Sequence, residues 1–249
     1  EQGRGEEDFF FGERHLPDTL PVKAGMNRFI WDMRYPDATK LKGAILWAGS
    51  TRGPLAVPGT YQARLKVGDK ILTKSFEIKK DPRVPATIAD LQEQFDLLIK
   101  IRDKVSQAHE AVQNIRDIRK QVNSVVERVK GQAGADTIAS VAKSLKEKLK
   151  AIEEKIIQVK AKARQDVLNY PIKLNNKLAA LASVVASADA KPTKQAYEVF
   201  DDLSSRLDAQ LAKLNEIIEK DIPAFNQLVR EQEIPAVFLR KKEKAMSTK

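Results

Sequence analysis

In a chain of 249 residues with no cysteine and two histidines, few side chains are equipped for chemistry. A glycosidase needs two carboxylates on facing structure. In the β-patterned part, residues 20–80, the candidates are Asp32, Asp37, Asp69 and Glu77. Asp69 falls in a turn, Glu77 alternates with core positions, and Asp32 follows Trp31 on the opposite face, so the spacing predicts no pairing. They read as solvated or turn-forming acids. A nucleophilic triad needs a well-placed histidine or cysteine. His15 lies in a linker-like segment, and His109 falls inside a long helical run, at its polar or boundary edge. Metal ligation of the bundle-core kind repeats Glu-x-x-His on two helices, and there is no second helical histidine. No GxxxxGK[ST] or GxGxxG loop is present to cradle phosphate. The sequence therefore assigns no catalytic residue, no metal ligand and no cofactor.

Two other groupings have the composition of binding surfaces. Lysines 143, 146, 148, 150, 155, 160 and 162 concentrate positive charge, as an anionic polymer or surface would require. They fall on several sides of a helix without interleaved aromatics, the pattern of a solvated face. Trp31, Tyr35, Trp47 and Tyr61 gather aromatic character near a β-patterned stretch, and Phe9, Phe10 and Phe11 precede it. Aromatics of this kind build either a core or an interface hot spot. The phenylalanine triplet belongs either to a linker or to a segment that docks on a neighbouring domain.

The net charge of +10 suggests nucleic acid until it is divided along the chain. Residues 1–86 carry 15 basic and 11 acidic groups, residues 87–239 carry 24 and 22, and residues 240–249 carry 5 and 1. The helical part is close to neutral, and a basic groove is not implied. No run of about 18 apolar residues exists to span a membrane, and no signal peptide is visible. The chain starts at Glu1, which reads as a processed chain or a piece of a longer one.

The elements are organised around residues 87–130, an amphipathic run free of proline and glycine. Thr87-Ile88-Ala89-Asp90 has the form of a capping box with Asp for Glu. Leu91, Phe95, Leu98, Ile101, Val105, Ala108, Val112, Ile115, Val122 and Val129 then recur every three or four residues or multiples of seven, a seam for helix packing. A helix this long is unstable unless its stripe is covered. A second helix, capped by Asp136 or Thr137, carries Ile138 to Ala163 and breaks at Asn169-Tyr170-Pro171. A third uses Leu174, Leu178, Leu181 and Val185. A fourth opens at Lys191-Pro192-Thr193 and ends at Ile222-Pro223. Short connections favour antiparallel neighbours, with the basic second helix facing the acidic fourth. In the alternative, the second helix continues, kinked, through Pro171.

Before Pro85 the pattern is β. Phe29, Trp31 and Met33 alternate with Ile30 and Asp32, and Tyr61, Ala63, Leu65 and Val67 with Gln62, Arg64 and Lys66. Gly68-Asp69 supplies a tight hairpin turn into residues 71–78. The expected architecture is α+β in several domains. Residues 1–19 form a linker-like segment, residues 20–84 a small antiparallel Ig-like β-sandwich, residues 85–239 a long antiparallel four-helix bundle, and residues 240–249 a disordered basic tail.

One series of residues is familiar as a combination: residues 25–36 (Gly-Met-Asn-Arg-Phe-Ile-Trp-Asp-Met-Arg-Tyr-Pro), Ile45-Leu46-Trp47, Val57-Pro58-Gly59-Thr60-Tyr61 and Asp81-Pro82-Arg83. With Ala89-Asp90-Leu91-Gln92 and residues 196–203, it resembles the C-terminal region of bacterial exported proteins with sortilin-like, BNR-repeat β-propellers, a family that often carries a glycosyl hydrolase label. The strand and turn are also similar to Ig-like modules of the flagellar hook-cap type. The propeller's Asp-box repeats do not occur here, so the resemblance implies that any hydrolase activity belongs to the absent propeller. What it implies for this chain is an exported location and a non-catalytic structural or protein-interaction role. The partner would be the β-propeller of the same or another polypeptide, and a homo-oligomer through spare helical faces is possible. Nucleic acid is not an expected partner. The alternative is an accessory part of a glycan-active protein, contributing aromatic carbohydrate contacts.

Overall fold

The computed structural model of the protein describes residues 22–232. In chain order these hold a hairpin, β1 (Gly59–Val67) and β2 (Lys70–Ile78), then helices α1 (Ile88–Val129), α2 (Ala135–Ile156), α3 (Leu174–Val185), α4 (Lys194–Glu216) and α5 (Ile222–Glu231). The chain is mostly helical with one small sheet.

Helix α1 begins where its sequence places the cap. The Thr87 hydroxyl accepts from the Asp90 N–H at 3.1 Å, and the Asp90 carboxylate accepts from the Thr87 N–H at 2.9 Å. Two otherwise orphaned backbone donors are thereby satisfied. Its 42 residues make a rod about 63 Å long. Ile101, Val105, Ala108, Val112, Ile115, Val122 and Val129 form its buried stripe. Toward the N-terminus Leu97 is buried while Leu91, Phe95 and Leu98 are only half-buried.

Gly131 and Gly134, with φ of 81° and 78°, turn the chain back into α2. Helix α2 descends along the distal half of α1, held by a buried carboxylate. Glu153, 4% exposed, accepts from Arg116 Nε at 2.8 Å and from an Arg119 Nη at 2.7 Å. Helix α3 then covers the proximal half in the same direction. Asn175 at its start meets His109, and Gln94 satisfies its last turn by donating to the carbonyls of Val185 (2.7 Å) and Ala188 (2.6 Å). Helix α4 starts at the foot of α1 and climbs beside it, as the pairs Lys191–Glu93, Lys104–Asp208 and Lys148–Asp221 mark in turn. Gln232, just past α5, reaches the turn at Gly134.

The architecture departs from sequence expectation in two respects. The Ig-like sandwich is replaced by a single two-stranded antiparallel sheet among the described residues. The four antiparallel helices are replaced by three rods: α1, a broken return made of α2 and α3, and α4 running on into α5. The break comes earlier than Pro171. The chain leaves the helix at Ile157, which is extended at φ −127° and ψ 159° and buried. It resumes at Leu174 after a short 3-10 turn at Arg164–Leu168. The Asp166 carboxylate accepts the N–H groups of Lys162 and Ala163, a local bond that competes with helix. Gly134, not Asp136 or Thr137, is the cap of α2. Nor does Pro223 end the rod that begins with α4. A π turn at Ile217–Asp221 precedes it, with the Ile222 N–H bonding five residues back to Ile217, and the missing proline donor is absorbed there.

Residues 22–57, expected to supply sandwich strands, form one isolated bridge, Arg34 to Leu55. Their middle part is instead a strap laid along α1. The Pro36 carbonyl accepts from Arg102 at 3.3 Å, and the Thr39 N–H donates to the Ser106 hydroxyl at 3.1 Å. The Thr39 carbonyl accepts from His109 at 2.6 Å, the Lys40 carbonyl from Gln113 at 3.1 Å, and the Lys42 carbonyl from Arg116 at 3.0 Å. Residues 36 to 42 of an extended chain span about 20 Å, and residues 102 to 116 of a helix about 21 Å, so the two run in step. Strap residues Ala38 and Leu41 are buried in the common core. The strap then crosses to α3, where Trp47 exchanges two 2.7 Å bonds with the Asn176 amide.

At that crossing Gly49 lies against the α3 backbone. A Cβ there would sit 2.7 Å from the Ala179 carbonyl carbon and the Ala180 nitrogen. Gly49→Ala is expected to lift the strap and cost about 1–3 kcal/mol, read as a lowered midpoint in urea unfolding. An unchanged midpoint would mean that the crossing carries no load.

Candidate interaction surface

The hairpin pairs Gly59 with Ile78 through Val67 with Lys70, around a two-residue turn at Gly68 and Asp69. Gly68 has a φ of 56°, the glycine position of a type II′ turn. The register puts Tyr61, Ala63, Leu65 and Val67 on one face together with Phe76, Lys74, Leu72 and Lys70. At the base of this face Trp31 meets Tyr61 (centroids 5.9 Å apart) and the edge of Phe76 (6.2 Å), while Tyr61 and Phe76 stack at 6.0 Å. The Tyr61 hydroxyl donates to the Val57 carbonyl at 2.7 Å. Burial, with a smaller contribution from Tyr35, raises the pKa of its phenol. Beyond these rings the face is open. Leu65, Val67, Leu72 and Phe76 all remain exposed, as do Phe29, Ile30 and Met33 in the segment that precedes the strap. A two-stranded hairpin is marginal in water, and no helix among the described residues covers this one.

The aromatic residues singled out from sequence do not form one platform. Trp31 and Tyr61 belong to the hairpin cluster. Tyr35 packs edge-on against Phe95 of α1 at 4.7 Å. Trp47 lies at the strap's crossing on α3, with its side chain half in solvent. Phe9, Phe10 and Phe11 lie outside the described residues, as does His15.

The acids take local roles. Asp32 accepts from the Arg34 N–H and lies 3.8 Å from Arg52. Asp37 accepts from the Gly53 N–H at 3.0 Å. Asp69 is in the turn, and Glu77 is exposed on the opposite face of β2. No group of three or more histidines or acids able to hold a metal ion occurs among the described residues. A cleft of about 490 Å³ opens between residues 50–58, the hairpin base and α1. Its apolar wall includes Leu91, Phe95 and Ile101; of its acids, Asp81 and Asp189, the first is bonded to Arg83 at 2.7 Å. That bond lowers the Asp81 pKa. The lysines of residues 143–162 are divided among separate partners: Lys146 with Asn123, Lys148 with Asp221, Lys150 with Glu154, and Lys160 over the Tyr170 ring.

His109 is the residue that the sequence placed wrongly. It is not at a polar edge but 1% exposed, between strap and α3. Thr39's carbonyl can only accept, so Nδ1 carries the proton, and Nε2 accepts from the Asn175 amide at 3.2 Å. Its neighbours Arg102, Ser106, Gln113 and Arg116 went unread with it. The signal was present as spacings of four, three, four and three residues, a polar stripe one position beyond the apolar one.

No protein-family model, curated protein or solved structure matches the chain.

Burial lowers the His109 pKa, against a smaller opposing effect of the Thr39 bond. The folded state therefore resists protonation that the unfolded chain accepts near pH 6.5. The stability this group contributes is present above about pH 6.5 and is lost as pH falls through the lower folded value. Unfolding midpoints should decline below about pH 6.5, a window above that of the carboxylates. His109→Gln should flatten the decline while lowering stability at neutral pH. An identical pH slope in the variant would remove His109 as its source.

Proposed function

We propose that this chain is a non-catalytic structural and protein-interaction module of an exported β-propeller protein, and that it engages its partner through the hairpin. The observation that carries this reading is the open face of β1 and β2, where aliphatic and aromatic side chains stand in water on a sheet too small to be stable alone. Completion of that sheet by another β structure would remove the exposure. The identity of the partner as a propeller, and the exported location, rest on the sequence resemblance. The helical rods serve in this reading as the rigid mount. No helix among the described residues is long and apolar enough to cross a membrane. The glycan-accessory reading has less beneath it. Tyr35 packs on Phe95 and Trp47 lies at the strap's crossing, neither of them stacking on Trp31, and the Trp31 indole N–H is taken by the Arg34 carbonyl at 2.9 Å.

The test is site-specific photocrosslinking in a bacterium that makes the protein. A benzophenone side chain at Leu72 should crosslink to a β-propeller polypeptide in the cell envelope. The same group at Val199, exposed on α4, should not. Absence of any crosslink at Leu72, or equal crosslinking at both positions, would refute the reading.

A further inference from the structure

The hairpin also carries information about the chemistry of what would cover it. Along β2, the face shared with the aromatic cluster reads Lys70, Leu72, Lys74, Phe76, an alternation of cation and apolar side chain. Neither Lys70 nor Lys74 has an ion-pair partner among the described residues. No backbone bond joins the outer edge of β2 to another element there. On β1 the same face is uncharged, so a strand added beside β1 would find grease but no register mark.

A second copy of this chain is a poor occupant. In an antiparallel two-fold pairing about the middle of β2, Lys74 would stand opposite Lys74. Like charges placed directly across strands are unfavourable, and lysines on an edge are a common guard against self-association. The two strands and their turn carry Arg64, Lys66, Lys70 and Lys74 against Asp69 and Glu77. On the face that bears the aromatic cluster the charges are Lys70 and Lys74, so that face repels itself and attracts acid.

Building on the protein-interaction reading above, we propose that the outer edge of β2 accepts an extended segment of a partner protein in which acidic and apolar side chains alternate. Its carboxylates lie against Lys70 and Lys74, and its apolar side chains against Leu72 and Phe76. Main-chain bonds to the open edge supply affinity, and the two lysines fix register and exclude basic strands. Lys70 and Lys74 are about 14 Å apart along the strand, so one segment must supply both acids, four residues apart.

The proposal is tested with the full chain and two synthetic octapeptides. In one, threonine alternates with Glu, Leu, Glu, Leu; in the other, lysine replaces each Glu. Amide resonances of residues 70–76 should shift on adding the acidic peptide, with binding that weakens as salt rises. The lysine peptide should leave them unmoved. The double variant Lys70→Glu, Lys74→Glu should bind the acidic peptide about tenfold less tightly and gain affinity for the basic one. Lys70→Gln, Lys74→Gln, with unchanged helical resonances, controls for folding and should lose the preference for either. Failure of the acidic peptide to bind, or equal binding of both peptides, overturns the proposal. If the Leu72 crosslink to a partner still forms in that event, only the acidic chemistry falls. If that crosslink is absent as well, the docking reading falls with it.

Discussion

The structure depends on a line of hydrogen bonds between an extended chain and the flank of a helix. Extended backbone normally satisfies its N–H and C=O groups in a sheet, and groups buried without partners are costly. Between Pro36 and Lys42 this chain has a backbone partner at Ala38, whose N–H donates to the Thr51 carbonyl at 2.7 Å, but no neighbouring strand over the rest. The side chains of Arg102, Ser106, His109, Gln113 and Arg116 take that place, each presented by α1 at the height of the group it meets. The arrangement works because five residues spaced by four and three lie on one helical face. That face adjoins the apolar one, so a single side of the strap can be bonded while Ala38 and Leu41 enter the core.

The same bonds spread beyond α1. Arg116 holds the Lys42 carbonyl and also Glu153 of α2, and His109 holds the Thr39 carbonyl while meeting Asn175 of α3. The strap thus passes over the junction where α2 has ended and α3 has not begun, with Leu41 buried and Ala44 and Leu46 packed against the core. A buried carboxylate such as Glu153 is tolerable only when its partners are close and well aimed, and its two arginines meet that condition. The hairpin is the opposite case. Its strands satisfy each other, but its apolar face and outer edges have no counterpart among the described residues, which is why the functional reading centres there.

The legible features of the sequence were those set by local rules. The Thr87–Asp90 box, the Gly68 turn and the stripe from Ile101 to Val129 each follow from a few neighbouring residues. The strand alternation at Tyr61 to Val67 was legible in the same way. What was not legible had causes distant in sequence. Phe29, Trp31 and Met33 alternate as a strand would, yet their segment pairs with no sheet, because α1 side chains some seventy residues later take the backbone bonds of the strap that follows it. Met33 itself adopts a φ of 60°, incompatible with a continuing strand. Residues 157–163 have the composition of a helix, yet the chain turns extended at Ile157, which the core buries, and the Asp166 carboxylate takes the N–H groups of Lys162 and Ala163 further on. His109 looked like a surface residue because nothing nearby reveals that the strap and Asn175 would enclose it. The π turn before Pro223 lets the rod run on past a residue that normally stops a helix, an accommodation that the proline rule does not anticipate.

The strap has a further consequence for the order in which the chain assembles. Its residues are synthesised before the helices that hold it, and its Trp47 finds its amide partner only 129 positions later. Contacts of such separation are slow to form because a long loop must first close. The earliest part of the described chain to be made is therefore among the last to settle, after the rods have aligned and presented a finished groove. Until then its hydrophobic residues are exposed, which is the interval in which a chaperone would matter most.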